Sequence, residues 1–193
     1  MPFNTQTVTT LRGIVDAACA NPQVDIPGTT VVVIDKDGHD LFAHSSGKRG
    51  LATDEKMGLD NVFWIASCTK MLTGLACMQL VEQGVLKLDD ANQLEGLCPE
   101  LKSLQVLLPN GNIEAKKNAI TLRMLISHTA GFGYSFFNER LRDWGFPVGI
   151  DEFSGRFEDM KMPLLFQPGE GWEYGVCKVS NNTIQFSRFI SKV

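Results

Sequence analysis

The sequence predicts a mixed α/β fold of the α+β type, in which an N-terminal hairpin of an antiparallel sheet is combined with a separate helical region. A β-branched run at residues 29–34, the turn sequence DKDG and a second short run at residues 40–44 indicate the hairpin. The long apolar segment at residues 67–83 indicates the main helix. The chain has 193 residues, which is enough for one ordinary domain.

Local signals place the elements of the first half. Residues 6–19 have apolar side chains at helical spacing and predict the first helix. A polar loop follows the hairpin and leads to Phe63. The helix at residues 67–83 should end at Gly84, a residue suited to the position after a helix. Its apolar residues recur at three-residue steps and predict a buried stripe: Leu72, Leu75, Met78 with Cys77 beside it, and Val81.

The second half is predicted to contain less regular structure. The dipeptide Asn110-Gly111 indicates the turn of a small hairpin. Thr121 is a candidate N-cap for a short helix that should end at Ala130-Gly131. Residues 132–165 are aromatic-rich and are predicted to be irregular, and the sequence FQPGEGWEYG predicts a turn followed by a short extended piece.

Composition and charge exclude several classes of function. The net charge is −4, with no basic stripe, so we expect no nucleic-acid partner. No apolar run reaches the length of a membrane span, and the N-terminus lacks the features of a secretory signal, so we expect no membrane association. The five cysteines are an odd set without metal-site spacing, which indicates thiols in a reducing compartment, and a cytoplasmic location is expected. The three histidines are scattered, and we expect neither a metal nor a cofactor.

Ser67 and Lys70 are the candidate chemical pair. A serine hydroxyl is a poor nucleophile near neutral pH and needs a base within hydrogen-bond reach. Residues three apart lie on one helix face, so both side chains can point into one cavity. The helix N-terminus favours developing negative charge, and the backbone N–H of Ser67 is available there as an oxyanion donor.

A purely structural interpretation is the alternative: the serine caps the helix, and the lysine one turn later is a solvated surface residue. The sequence even contains a second serine–lysine pair at the same spacing, Ser45 and Lys48, in a glycine-containing stretch with no apolar helix behind it. We interpret that second pair as accidental, since a short motif alone is only a hypothesis.

The context of Ser67 resembles one family in order and spacing. FWIASCTK is followed by an apolar helix, then by VEQGVLKLDD, ITLRMLISHTAGF and PGEGWEYG. These segments, within about residues 5–176, resemble the class C β-lactamase-like serine hydrolases, which include D-alanyl-D-alanine carboxypeptidases, esterases and acyltransferases. The chain looks most similar to the fungal esterase and transesterase branch. The resemblance implies a β-lactamase/transpeptidase-like fold, with a helical region inserted into an antiparallel sheet.

The resemblance also implies roles for individual residues. Ser67 matches the acylated nucleophile, Lys70 its proton-shuttling partner, and Tyr174 the tyrosine that faces them. Tyr134, which follows SHTAGFG, is the alternative tyrosine, in what looks like a lid. Lactamases continue the tyrosine motif as Tyr-x-Asn, whereas Gly175 and Val176 follow here, which favours the esterase or acyltransferase branch.

Other conspicuous side chains receive more modest interpretations. His128 ends a helix, and the mechanism of the family needs no histidine, so a structural role is expected. Several aromatic residues are candidates for binding an acyl substrate, although an ordinary aromatic core is an alternative for each: Trp64, Phe132, Phe136, Phe137, Trp144 and Trp172.

The resemblance stops near Val176. We therefore predict a serine hydrolase domain at residues 1–176 and an unrelated tail at residues 177–193, with the third family motif and the C-terminal sheet strands missing. The implied function is a serine hydrolase or acyltransferase that forms a Ser67 acyl-enzyme with a small-molecule ester, thioester or amide. A catalytically inactive fragment is the alternative, and the prediction is that the 193-residue chain has negligible turnover. A β-lactamase or D-alanyl-D-alanine carboxypeptidase is a further alternative.

Overall fold

The computed structural model describes residues 3–153 and 162–176, which belong to two compact units divided between Trp64 and Ile65. The predicted tail at residues 177–193 lies outside the described residues.

Residues 3–64, the described part of the first unit, contain an α-helix and a β-hairpin. Helix α1 (Thr5–Ala18) begins at Asn4, whose side chain accepts a hydrogen bond from the Thr7 N–H. Strands β1 (Gly28–Ile34) and β2 (Asp40–Gly47) pair antiparallel, with a register shift between Val33 and Ile34. The predicted helix and hairpin are therefore confirmed.

Strand β2 is longer than the sequence predicts, because pairing continues past His44 to Gly47, which faces Gly28. Ser45 consequently lies inside a strand, where its Oγ is 3.2 Å from Thr30 Oγ1. Lys48 Nζ is bound to Asp54 Oδ1 at 2.6 Å. The second serine–lysine pair thus has separate structural partners, which supports its interpretation as accidental.

The turn between β1 and β2 gathers three side chains that can ligate metals, Asp35, Asp37 and His39, with their ligand atoms within 4.8 Å of one another. The carboxylate of Asp35 accepts hydrogen bonds from the backbone N–H groups of His39 and Asp37, and these bonds lower its pKa. Such side chain-to-backbone bonds are the ordinary chemistry of an aspartate turn.

The described residues of the second unit include four α-helices. These are α2 (Thr69–Glu82), α3 (Ala91–Leu97), α4 (Leu122–Ile126) and α5 (Glu139–Gly145). Strands β3 (Gln105–Leu107) and β4 (Ile113–Ala115) form a second antiparallel pair. The structure confirms the turn at Gly111 (φ 82°), the end of α2 before Gly84 (φ 75°) and the Thr121 cap, whose Oγ1 accepts from the Met124 N–H. Helix α5 corrects the prediction that residues 132–165 are irregular throughout.

The predicted buried stripe of α2 is largely wrong. Leu72 and Leu75 are 51% and 58% exposed, and Met78 is also exposed. Cys77 is the part of the stripe that is buried, where it packs with Leu86 and Leu122, and Val81 packs partly buried against the same cluster. The apolar residues of α2 occur on all faces of the helix, so their spacing alone does not show which face the rest of the protein covers.

The central core joins the helices to the chain around Leu164. The Leu164 N–H donates to the Gln105 carbonyl and its own carbonyl accepts from the Leu107 N–H, both at 2.7 Å, so residue 164 lies beside β3. Ten buried residues form this core: Leu94, Cys98, Leu101, Val106, Ile120, Ala130, Phe132, Tyr134, Leu164 and Val176. None of the described helices is long and apolar enough to cross a bilayer.

A buried ion pair ties α3 to the chain after β4. Glu95 Oε1 accepts from Lys116 Nζ and from the Ile120 N–H. Burial raises the pKa of Glu95, but the two hydrogen bonds and the charges of Lys116 and Lys102 together outweigh burial and leave the pKa below its usual value of 4.5.

Acid is therefore expected to remove the stabilisation that Glu95 provides. A carboxyl group whose pKa is lowered by folding stabilises the protein above its ordinary pKa, and that stability is lost as the pH falls through the folded-state value. The measurement is the melting temperature of the wild-type chain and of Glu95→Gln from pH 7 to pH 2. The wild-type advantage should shrink with acid; an advantage that is constant across this range contradicts the prediction.

Candidate active site

Ser67 lies in a single 3-10 turn, Ala66–Cys68, directly before α2. Ala66, immediately before the serine, has φ 44°, in the left-handed region that a residue with a Cβ enters at a cost of roughly 1–2 kcal/mol. The Cys68 N–H closes the turn by donating to the Ile65 carbonyl at 2.9 Å. The serine itself is exposed, so its hydroxyl is accessible from solvent.

Lys70 is the buried member of the pair, with 7% of its surface exposed. Its Nζ donates to Ser67 Oγ at 3.2 Å and to the Tyr134 hydroxyl at 3.1 Å. A lysine that only followed a helix cap would be solvated, whereas this amine is buried and donates to the serine oxygen. The geometry favours the chemical interpretation of the pair.

Two tyrosine rings enclose the lysine amine. The Lys70 Nζ lies 5.0 Å from the centroid of the Tyr174 ring and 5.5 Å from that of Tyr134. The two ring centroids are 5.9 Å apart. Both distances to the amine are within the range of a cation–π interaction, so each ring is a direct neighbour of the amine.

Both tyrosines are close to the lysine amine. Tyr134 is buried and its hydroxyl accepts a hydrogen bond from Nζ, and the ring of half-buried Tyr174 lies beside Nζ. Tyr134 therefore belongs to the cluster itself and not only to a lid above it. Its signal in the sequence was its place after SHTAGFG, but no spacing rule shows that a residue 64 positions away meets Lys70.

The segments that carry the tyrosines run side by side. The Leu165 N–H donates to the Gly131 carbonyl at 2.7 Å, and the Gly169 N–H donates to the Thr129 carbonyl at 2.8 Å. Gly175 approaches closely, since a Cβ there would lie 2.5 Å from the Phe132 carbonyl oxygen. Only glycine allows this approach without a shift of the backbone.

A buried carboxylate fixes the chain next to Tyr134. Both oxygens of Glu152 are bound by Ser135, one by its N–H at 2.6 Å and the other by its hydroxyl at 2.9 Å. The Phe136 and Phe153 rings stack beside Tyr134, at centroid distances of 4.7 and 6.1 Å. The ring of Tyr134 is thereby held from several sides.

The aromatic residues proposed for substrate binding lie in different places. Phe132 is buried in the central core, and Trp144 packs against a second cluster that contains Leu141 and Met162. Trp172 is 64% exposed, with its ring 6.3 Å from that of His128. Trp64 is 91% exposed and is the last residue of the first unit.

Of the same set, Phe136 and Phe137 make ring contacts with the tyrosines. Both are more than half exposed, and the Phe137 ring is 6.3 Å from those of Tyr134 and Tyr174. Together with Phe153, they are exposed apolar side chains in ring contact with Tyr134.

Comparison with known proteins identifies the family. The family model described as Beta-lactamase matches residues 12–179 of this chain. The chain belongs to the beta-lactamase family. This finding confirms the resemblance inferred from the motifs and the β-lactamase/transpeptidase-like fold that it implied.

Fungal esterases and acyltransferases are among its relatives. Lovastatin esterase of Penicillium rubens is 34% identical over 177 residues, which are 86% of this chain and 42% of that protein. Monacolin J acid methylbutanoyltransferase of Aspergillus terreus is 29% identical over 163 residues, 78% of this chain and 39% of that enzyme. The chain thus spans less than half the length of these relatives.

A solved structure from the same fungal branch is also similar to this chain. Unliganded simvastatin synthase (LovD) from Aspergillus terreus aligns with a TM-score of 0.73 at 26% identity, over 90% of this chain and 46% of that one. The family member described here is therefore similar to the fungal esterase and transferase branch in sequence and in structure.

Proposed function

We propose that this chain carries the nucleophile and proton-transfer groups of a serine esterase or acyltransferase. The observation that carries the proposal is the buried Lys70 amine, 3.2 Å from Ser67 Oγ and 3.1 Å from the Tyr134 hydroxyl. This arrangement supplies the base within hydrogen-bond reach that a serine nucleophile requires.

In the proposed reaction, Ser67 Oγ forms a bond to the carbonyl carbon of an ester while its proton passes to the Lys70–tyrosine pair. The bond to the leaving alcohol then breaks, and the alcohol takes that proton. Water or a second alcohol attacks the acyl-serine, which restores Ser67 and releases an acid or a new ester. The Ser67 N–H, at the helix start, is the proposed donor to the oxyanion.

We propose as substrate a small-molecule ester with a short, apolar acyl group. The relatives named above support this class, since one is called a lovastatin esterase and another a methylbutanoyltransferase. The exposed Phe136 and Phe137 beside the cluster provide apolar surface for such a group. A cytoplasmic site of action is proposed because Cys19 and Cys68 are present as thiols, which suits a reducing compartment.

The second candidate is a chain that retains the cluster but does not turn over. The exposed apolar face of α2, with Leu72 and Leu75 more than half exposed, favours it.

One experiment separates the two candidates. The purified 193-residue chain is treated with a fluorophosphonate, the modified peptide is mapped by mass spectrometry, and p-nitrophenyl butyrate hydrolysis is followed in parallel. Labelling of Ser67 together with ester turnover supports the enzyme. Labelling without turnover supports the second candidate, and no labelling of Ser67 removes the proposed function.

The two tyrosines are expected to differ in their effect on catalysis. We assign Tyr174 the general acid–base role that its motif implies, so Tyr174→Phe should lower the Ser67 labelling rate by roughly 100-fold or more, the usual range for such a group. Tyr134→Phe should cost about tenfold, because it removes one hydrogen bond to Lys70. The measurement is the second-order labelling rate of each variant beside Ser45→Ala, in strand β2, as a control. The reverse order of the two tyrosine effects transfers the role to Tyr134.

A further inference from the structure

His128 occupies a backbone position that a glycine normally fills. It follows α4 with φ 61°, and the Thr129 N–H donates to the Met124 carbonyl at 2.9 Å. The His128 N–H points to the Leu125 carbonyl at 3.5 Å. This is the helix-ending motif in which glycine is favoured because it has no Cβ. The backbone alone does not explain a histidine here.

The imidazole is directed at the segment that carries Tyr174. Its Nδ1 accepts a hydrogen bond from the Gly175 N–H at 3.4 Å, and its ring centroid lies 4.7 Å from that of Tyr174. The His128 carbonyl also accepts from the Glu173 N–H at 3.1 Å. One residue therefore contacts the chain immediately before and after the tyrosine, and the ring between them.

On its other side, the segment that carries Tyr174 lies close to the backbone of Phe132 and Gly133. A Cβ at Gly175 would lie within 2.7 Å of the Phe132 carbonyl group and of Gly133 Cα. The tyrosine segment is consequently held between the His128 ring and the backbone that leads to Tyr134. A small movement of this segment changes the distance from Tyr174 to the Lys70 amine.

We propose that His128 is a positioning residue that sets the Tyr174 ring against Lys70 through its hydrogen bond to Gly175. This inference rests on the proposed function, in which Tyr174 and Lys70 transfer the serine proton. Misplacement of a reacting group by about an ångström can cost on the order of 100-fold in rate, so a contact of this kind affects catalysis without touching substrate.

Two substitutions separate the side chain from the backbone. His128→Asn keeps a residue that tolerates the left-handed conformation, and its amide oxygen can accept from the Gly175 N–H. His128→Gly also suits the backbone but removes the acceptor and the ring. His39→Asn, in the exposed turn between β1 and β2, is the matched control.

The kinetic readout is the labelling rate of Ser67 by fluorophosphonate, with the melting temperature measured beside it. We expect His128→Gly to lower the rate by about tenfold, the effect of one lost hydrogen bond. Its melting temperature should also fall, because glycine relieves the left-handed φ but the buried imidazole and its hydrogen bond are lost. His128→Asn should recover most of the rate, and His39→Asn should match the wild type. A purely structural role predicts instead that His128→Gly reacts at the wild-type rate at temperatures where it is folded.

A second readout does not require activity. The chain has two tyrosines, so carbon-13 labelling of tyrosine gives two sets of ring signals in an NMR spectrum, and Tyr134→Phe assigns them. His128→Gly should move the Tyr174 signals strongly and the Tyr134 signals little, since the imidazole lies against the Tyr174 ring.

The outcomes distinguish a failure of the His128 inference from a failure of the proposed function. If Ser67 of the wild type is not labelled, the proposed function fails while the NMR arm still tests the positioning. If Ser67 is labelled, the inference is overturned by a wild-type rate in His128→Gly, by an unmoved Tyr174 signal, or by an asparagine variant as slow as the glycine variant.

Discussion

Replacing Ser67 by alanine is expected to abolish fluorophosphonate labelling and to lower any ester turnover by at least about 1,000-fold. Without the nucleophile, a serine hydrolase retains only the contribution of binding and oxyanion stabilisation. Folding should be preserved, because Ser67 is exposed and alanine suits the start of a helix. The measurements are the mass of the labelled chain, the hydrolysis rate and the melting temperature.

Two matched controls test whether the effect belongs to Ser67. Cys68→Ala removes the exposed neighbouring thiol, which is a competing site for a reactive probe. Ser45→Ala removes the serine of the second serine–lysine pair, which lies in β2 beside Thr30. Both variants should label like the wild type. Undiminished labelling of Ser67→Ala means that the nucleophile lies elsewhere.

Local signals were sufficient for most of the elements. The β-branched runs on either side of a DKDG turn predict β1 and β2, and the Asn110-Gly111 turn predicts the β3–β4 pair. Thr121 marks the start of α4 because its side chain satisfies a backbone N–H within three residues. These features depend on neighbours in the chain, so sequence reasoning can find them.

The exposed face of α2 could not be predicted in the same way. Apolar residues occur all around this helix, and Leu75 differs from Cys77 only in which parts of the fold lie opposite. The length of β2 was missed for a related reason, since Ser45 and Ser46 are not strand-formers by composition. Cross-strand pairing with Thr29 and Thr30 extends the strand.

The candidate site was partly predictable. Ser67 and Lys70 are one helical turn apart, so their contact follows from spacing. Tyr134 and Tyr174 reach Lys70 from segments far away in the chain, and only the path of residues 128–134 beside residues 172–175 brings them together. Family resemblance supplied Tyr174, whereas the hydroxyl contact of Tyr134 required the structure.

Substitutions of Lys70 are expected to affect the reactivity of Ser67 and the stability of the fold differently. Its amine is buried, and its contacts in the cluster include Ser67 Oγ and the Tyr134 hydroxyl. We expect Lys70→Met to lower the labelling rate of Ser67 by about 100- to 10,000-fold, the range for loss of a general base. Lys70→Arg should be similarly inactive, because a guanidinium remains protonated and cannot accept the serine proton.

The stability of these variants should move differently from their rates. Methionine has a similar length and no polar amine, and burying a polar group costs free energy that an apolar side chain does not incur. The melting temperature of Lys70→Met should therefore equal or exceed that of the wild type while labelling is lost. Lys48→Met, from the second serine–lysine pair, loses only a surface contact with Asp54 and should leave the rate unchanged. If Lys70→Met reacts at the wild-type rate, the proton of Ser67 leaves by another route, and the buried amine is a structural group.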